Sequence, residues 1–300
     1  MKKWLGVAVA FCIAGEAFAL QEQPGAAEFK ACQEAAKNSD WPGVIKSCEA
    51  TLKANPDVFG SHYILGWAYL QTKDWGKCAS NYDAFLQKLG NEDAKQQEEV
   101  ATRQAGLCYA QAGNSSKAIT FLKQAATAKP NDVAVQSVLA RALLRGNQES
   151  EAEQAFAKVI QLKPDDAQAY YLAGNINYRR KENAKASERL SKYLELDGSG
   201  SFAPDAHFMI GSIMYRSLDQ AADQKAQFPE IKNHMTTFLG AKADAPQAAE
   251  AHYILGWIAA QEEDNETAKT HFETFLKLQP TGAQAEEAQK FLDALAESAG

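Results

Sequence analysis

The side chains here that could do chemistry are histidines, cysteines, arginines and clustered carboxylates, and their spacing excludes most of it. The five histidines are His62, His207, His234, His252 and His271. None belongs to an H-E-x-x-H pair, so no single helix presents two imidazoles and a glutamate base to zinc. Beyond residue 19 there is no G-x-S-x-G elbow and no phosphate-cradling G-x-x-x-x-G-K-[ST] loop. Glu98-Glu99 and Glu262-Glu263-Asp264 read as solvated surface charge rather than a general acid/base pair. Four cysteines follow residue 19: Cys32, Cys48, Cys78 and Cys108. No two are spaced C-x-x-C, which argues against thiol redox chemistry and haem attachment. The pattern points to no catalysis, no cofactor and no metal, leaving binding as the expected work.

The first residues bear on where that work is done. Met1-Lys2-Lys3 precedes an apolar run from Trp4 to about Ala14, and Ala17-Phe18-Ala19 follows. A basic start, a short apolar stretch and an A-x-A end predict a secretory leader cut after Ala19. The run is too short to span a bilayer, and Glu16 interrupts its end. Cys12 lies inside the run behind Phe11, where lipid attachment wants a small residue. The expectation is an exported chain, in the bacterial periplasm by the style of the leader, with no membrane insertion after cleavage. The formal net charge of −7 becomes one unit more negative once the leader is removed. An acidic chain without a basic block argues against nucleic acid and anionic membranes as partners.

The elements that must position these side chains repeat. The hexapeptide HYILGW occurs at His62–Trp67 and again at His252–Trp257. Small residues return between the copies: Gly66, Gly106, Ala140, Gly174, Gly211 and Gly256, with steps of 34 residues from 106 to 140 and from 140 to 174. Such a period predicts stacked helical hairpins. With the small residue as position 8, units start near Gly25, Phe59, Glu99, Val133, Ala167, Pro204 and Ala249. Position 20 is small (Val44, Cys78, Ala118, Ala152, Ala186, Ala268), so two helices can approach closely there and at position 8. Position 24 is mostly large (Cys48, Tyr82, Leu122, Phe156, Leu190, Phe272) and fills the space around the crossing. Pro56, Pro130, Pro164 and Pro280 at position 32 stop the second helix, and the Asp or Asn that follows Pro56, Pro130 and Pro164 can cap the next. The second unit is longer by six residues, and the sixth is longer still, with its extra residues at 217–228 expected to lengthen the helices or the hairpin loop. The segment Ala283–Ser298 reads as a capping helix that covers the last unit with Phe291, Leu292 and Leu295.

This pattern resembles the tetratricopeptide repeat family, whose units carry Leu-Gly at 7–8, Tyr at 11, Ala at 20, Phe at 24, Ala at 27 and Pro at 32. Leu65-Gly66 with Tyr69 matches it, as does Gly106 with Tyr109, Ala118, Ala125 and Pro130, and Leu255-Gly256 with Ala268, Phe272 and Pro280. The resemblance implies an all-α fold, a right-handed superhelix (α-solenoid) of about seven hairpins over residues 20–280, followed by a cap and tail at 281–300. His62, His207 and His252 fall at position 4, a packing position held by Trp in the family pattern, and in different units, so they are not expected to converge on a metal.

In an antiparallel hairpin, residues equidistant from the turn face each other. Cys32 and Cys48 lie eight residues either side of residue 40, in the Ser39-Asp40 turn, and Cys78 and Cys108 lie fifteen either side of residue 93, in the 90–93 loop. Disulfides Cys32–Cys48 and Cys78–Cys108 are therefore expected; the alternative is four small buried hydrophobes.

The resemblance also implies that the first helix of each unit lines a concave groove. Positions 5 and 9 would face it together: Tyr63/Trp67, Arg103/Leu107, Ser137/Arg141, Tyr171/Asn175, Phe208/Ser212 and Tyr253/Trp257. Positions 12 and 13 add Arg145, Tyr178, Arg179, Tyr215 and Arg216. Tyr, Trp and Arg dominate binding hot spots, and arginine in an acidic chain suggests a carboxylate-bearing partner. The alternative is that these aromatics pack against neighbouring helices. The leading expectation is a periplasmic scaffold gripping a protein or peptide segment in the groove. Its rivals are a structural subunit of an envelope assembly, working through its convex face or ends, and a small-molecule binder or enzyme accessory. The lysine and asparagine clamp with which some family members grip a C-terminal carboxylate is not kept, since position 5 is mostly aromatic and Asn175 stands alone at position 9.

Overall fold

A computed structural model of the chain describes residues 23–89, 95–221 and 223–298. The expected leader at 1–19, its cut after Ala19, and the 90–93 loop lie outside them. Among the described residues there are fifteen α-helices, two short 3-10 turns and no strand.

The helices form two compact units, divided after Lys163. The first holds four hairpins: α1 (Ala26–Lys37) with α2 (Trp41–Ala54), α3 (Gly60–Thr72) with α4 (Trp75–Leu89), α5 (Lys95–Gln111) with α6 (Ser115–Ala128), and α7 (Val133–Arg145) with α8 (Glu149–Leu162). The second holds α9 (Ala167–Arg179) with α10 (Asn183–Asp197), α11 (Ala203–Arg216) with α12 (Phe228–Lys242), α13 (Ala248–Gln261) with α14 (Asn265–Leu278), and a final helix α15 (Ala283–Ser298). Within each unit, every helix packs on the next in sequence.

Local chemistry accounts for the helix ends. Helices α2, α6, α8 and α14 each stop two residues before a proline. Asp132 and Asp166 then cap α7 and α9 by accepting the amides of Val135 and Ala169 at 3.1 Å. Asp57 does not cap; its own amide donates to Asn55 and α3 starts without a side-chain cap. The turn inside six of the hairpins is one device repeated at position 15. Ser39, Lys73, Gly113, Asn147, Lys181 and Glu263 all have φ between 57° and 80°. The next amide reaches back five residues, as Asp74 does to Tyr69 and Asp264 to Ala259, closing a helix C-terminus with a left-handed residue. Five of the six are not glycine, so the turn bears a cost of about 1 kcal/mol at each. The sixth hairpin replaces this turn with a longer connection containing the 3-10 turns Leu218–Gln220 and Lys225–Gln227, pinned by buried Leu218 and Phe228. Its extra residues thus enter the loop rather than the helices. In the third hairpin part of the extra length lengthens α5, a 17-residue helix.

Glycine at position 8 is required by contact. A Cβ on Gly106 would lie 2.8 Å from Leu122 Cγ and 3.1 Å from its amide nitrogen; one on Gly256 would lie 2.9 Å from the Phe272 ring. The large partner is the position-24 residue in both hairpins. Position 11 ties neighbouring hairpins: the Tyr69 hydroxyl donates to Glu49 at 2.5 Å and the Tyr109 hydroxyl to Asp83 at 2.7 Å. Both acceptors occupy position 25 of the preceding unit. Helix α15 buries Ala285 and Ala288 and sets Phe291 against Phe272, ring centres 5.2 Å apart. No helix among the described residues is long and apolar enough to cross a membrane.

The cysteines pair as Cys32–Cys48, joining α1 to α2 with Cα atoms 5.2 Å apart, and Cys78–Cys108, joining α4 to α5 with Cα atoms 6.0 Å apart. Both bridges lie in the first unit and all four side chains are fully buried.

Candidate interaction surface

The expected groove residues separate by position. At position 5 the aromatics are buried, which corrects the expectation that they face a partner. Tyr63 packs edge-on to Tyr82 and against Phe85 in the first unit. In the second, Tyr171 stacks on Phe202 at 4.4 Å, Phe208 packs on Phe238 and Tyr253 on Phe272 and Phe275. All four are 8% exposed or less. The reason is rotational: four residues advance an α-helix by about 400°, so positions 5 and 9 are offset by about 40°. That offset turns the position-5 aromatics into the hairpin's own second helix and leaves Trp67, Arg141, Asn175 and Trp257 at position 9 half-buried, although Ser212 at position 9 is fully buried.

In the first unit α5 and α7 lie side by side. Trp67, Arg103 and Arg141 are half-buried, and Arg145 is exposed in the last turn of α7. Arg103 Nε donates to Asp132 at 3.0 Å, and Arg141 Nε to the Ser137 carbonyl at 3.2 Å. A cleft of about 390 Å³ opens between α5, α6 and α7; Arg103 pairs with Asp132 and Lys129 with Glu99 in its wall, which Lys95 and Glu98 also line.

In the second unit α9, α11 and α13 are joined by one polar network. The Tyr178 hydroxyl donates to Ser212 at 3.3 Å, and Ser212 donates to Glu250 at 2.7 Å. Arg216 donates to both Glu250 and Tyr178 at 2.9 Å. The carboxylate expected of a partner is thus supplied to Arg216 by this chain's own Glu250, a residue the spacing argument did not single out. It stands at position 2 of the seventh unit, on the same helix as Trp257. Around the network Tyr178, Tyr215 and Trp257 are half-buried and Arg179 is exposed. Trp257 sits edge-on to Tyr215 and Phe228, and Asn175 donates to the Met209 sulfur at 3.7 Å.

The position-4 histidines do stay in separate hairpins, but each meets a partner from its own second helix. His62 Nδ1 lies 2.9 Å from Asn81 Oδ1. His207 and His252 each face another imidazole, His234 and His271, with Nδ1···Nδ1 separations of 2.7 and 2.9 Å. Burial pushes all four imidazoles below the usual histidine range, His234 to about 4. A depressed folded-state pKa contributes stability that is full above about pH 6.5 and is lost as pH falls through about 4. For His234, which is 8% exposed, the loss amounts to about 3 kcal/mol. Hydrogen exchange across α11 and α12 in a chelating buffer should show that loss between about pH 6.5 and 4. Protection unchanged over this range would contradict it.

With the geometry in place, the relatives can be read. Two tetratricopeptide repeat family models match, one at residues 109–176 and one at 249–281. Both matches fall on the hairpins just described. Residues 109–176 and 249–281 are thus tetratricopeptide repeats. The repeats carry the fold seen in the C-terminal part of a TPR repeat-containing protein from Cytophaga hutchinsonii. That structure is 15% identical, with a TM-score of 0.56 over 87% of this chain and 98% of the other. The repeats are also similar to YrrB, described as a TPR protein with an unusual peptide-binding site. It is 18% identical, with a TM-score of 0.50 over 58% of this chain and 87% of YrrB. A search of curated proteins found no match to the repeat protein.

Proposed function

We propose that the repeat protein is a non-enzymatic scaffold of the exported compartment, the periplasm in a bacterium, that holds a protein segment against the first helices of its hairpins. The observation that carries this reading is the set of arginine and aromatic side chains left accessible on those helices. They are Trp67, Arg141 and Arg145 in the first unit, and Tyr178, Arg179, Tyr215 and Trp257 in the second. Side chains of these types combine apolar area with directed hydrogen bonds, which is what concentrates binding energy at an interface. The peptide-binding description of YrrB fits the same use of the fold. Paired cysteines suit an oxidising space, in line with the leader read from residues 1–19.

The aromatics at position 5 belong to the core under this reading, while Arg103 at the same position of the third hairpin and Arg216 shape the surface through Asp132 and Glu250. The contact offered to a partner's acidic side chains centres on Arg145, exposed in the last turn of α7, with Arg141 one turn before it. Crosslinking the tagged protein in its native envelope identifies the partner, and titration of the purified pair measures the contact. Arg145→Glu, with its exposed side chain, is expected to weaken binding about tenfold, and Arg141→Glu/Arg145→Glu further, at unchanged helix content. Equal affinity of both variants and the parent would reject α7 as part of the site.

A further inference from the structure

The histidine pairs of the second unit are built the same way in consecutive hairpins. His207 comes from α11 and His234 from α12; His252 comes from α13 and His271 from α14. The ring centres are 4.9 and 5.1 Å apart and the rings are inclined at 48° and 42°. The position on the second helix is equivalent in both hairpins. Gly256 crosses Phe272, the residue after His271, and Gly211 crosses Met235, the residue after His234.

The second hairpin supplies an internal control. There the same first-helix histidine, His62, is satisfied by the amide of Asn81 at 2.9 Å, against 2.7 and 2.9 Å in the two histidine pairs. An asparagine therefore meets the packing and hydrogen-bonding needs of this location. The second imidazole of the other two hairpins adds something that an amide lacks, a second nitrogen lone pair on the same point.

We infer that His207/His234 and His252/His271 are two chelating sites for a late first-row transition-metal ion. Neutral imidazole is the metal-binding form of histidine, and nitrogen ligands favour Cu²⁺, Ni²⁺ and Zn²⁺ over Ca²⁺ or Mg²⁺, with Cu²⁺ tightest. At metal–nitrogen distances of about 2.0–2.1 Å, two tetrahedral ligands stand roughly 3.3 Å apart. The pairs need to open by roughly 0.5 Å to reach that separation, a displacement that ring rotation can supply. In the metal-free pair one Nδ1 carries the hydrogen that the other accepts. Binding moves that hydrogen to Nε2 of the same ring, so both Nδ1 lone pairs meet the metal and no proton is released. Among the described residues no third histidine, cysteine or carboxylate joins either pair. Asp205 on α11 is held by Lys242, and Glu262 beyond α13 by Lys232. Water completes the coordination, which makes these exchangeable rather than permanent sites.

The test uses the full chain without a histidine tag, titrated with Cu²⁺ by calorimetry and by electron paramagnetic resonance. Two ions per chain are expected, with splitting from imidazole nitrogen. His234→Asn and His271→Asn, which copy the second hairpin, should each remove one site, and the double variant both, lowering affinity by more than tenfold. His62→Asn should change nothing. A double variant that binds like the parent overturns the inference. So does a parent spectrum without coordinated imidazole nitrogen, a result that does not depend on whether any variant folds.

Discussion

A Cys32→Ala/Cys48→Ala/Cys78→Ala/Cys108→Ala chain should lose about 7 kcal/mol from its first unit and essentially nothing from its second. The bridges close segments of 16 and 30 residues. Loop-closure entropy gives about 3 kcal/mol for the shorter, and doubling the loop adds about 0.6 kcal/mol for the longer. A combined loss of about 7 kcal/mol is comparable to the whole stability of many domains. The second unit contains no cysteine, so the effect is confined by covalent connectivity alone. Hydrogen exchange resolves the two units: protection should collapse in α1 to α5 and persist in α11 to α14. An equal loss in both units would show that they do not open separately. The Cys78–Cys108 bridge alone should account for the larger share, because it clamps the second hairpin to the third rather than closing one turn.

Phe275→Ala should destabilise the second unit by about 3–5 kcal/mol. Phe275 is fully buried at position 27 of the seventh hairpin, with its ring centre 5.2 Å from that of Tyr253. The same pairing recurs in the second hairpin, where Phe85 is fully buried and lies 5.0 Å from Tyr63. Position 5 and position 27 thus form one aromatic contact inside the hairpin. Truncating Phe275 removes the floor on which Tyr253 rests and leaves a cavity that the two helices, locked at Gly256 against Phe272, cannot close. Leu278→Ala is the control: three residues further on, Leu278 is 51% exposed, and its loss should cost less than about 0.5 kcal/mol. Chemical denaturation followed by circular dichroism measures both, and similar midpoints for the two variants would refute the aromatic contact as a core element. The result also bears on function. If Tyr253 met a partner rather than Phe275, Phe275→Ala would disturb binding more than folding.

Much of this protein is written in short-range pattern. A small residue every 34 positions sets the hairpins, because helices approach closely only where a side chain is missing. Proline two residues past a helix ends it by removing an amide donor. The cysteine pairing follows from antiparallel counting about a turn. These are local rules, and the residues that obey them need only their neighbours in the chain.

What the tertiary structure alone decided depends on partners 19 to 34 residues away. The repeat places positions 5 and 9 on one helical face, yet a rotation of about 40° buries Tyr63, Tyr171, Phe208 and Tyr253 and leaves Trp67 and Trp257 partly open. Arginine at Arg216 reads as a free cation until Glu250 of the next hairpin neutralises it. Histidine at position 4 looks solitary until the second helix brings up Asn81, His234 or His271. Composition and period specify which side chains exist and how often they recur. The angle at which each helix rests on the next specifies which of them are left for a partner, and that angle is set by the packing of every large residue at the crossing together.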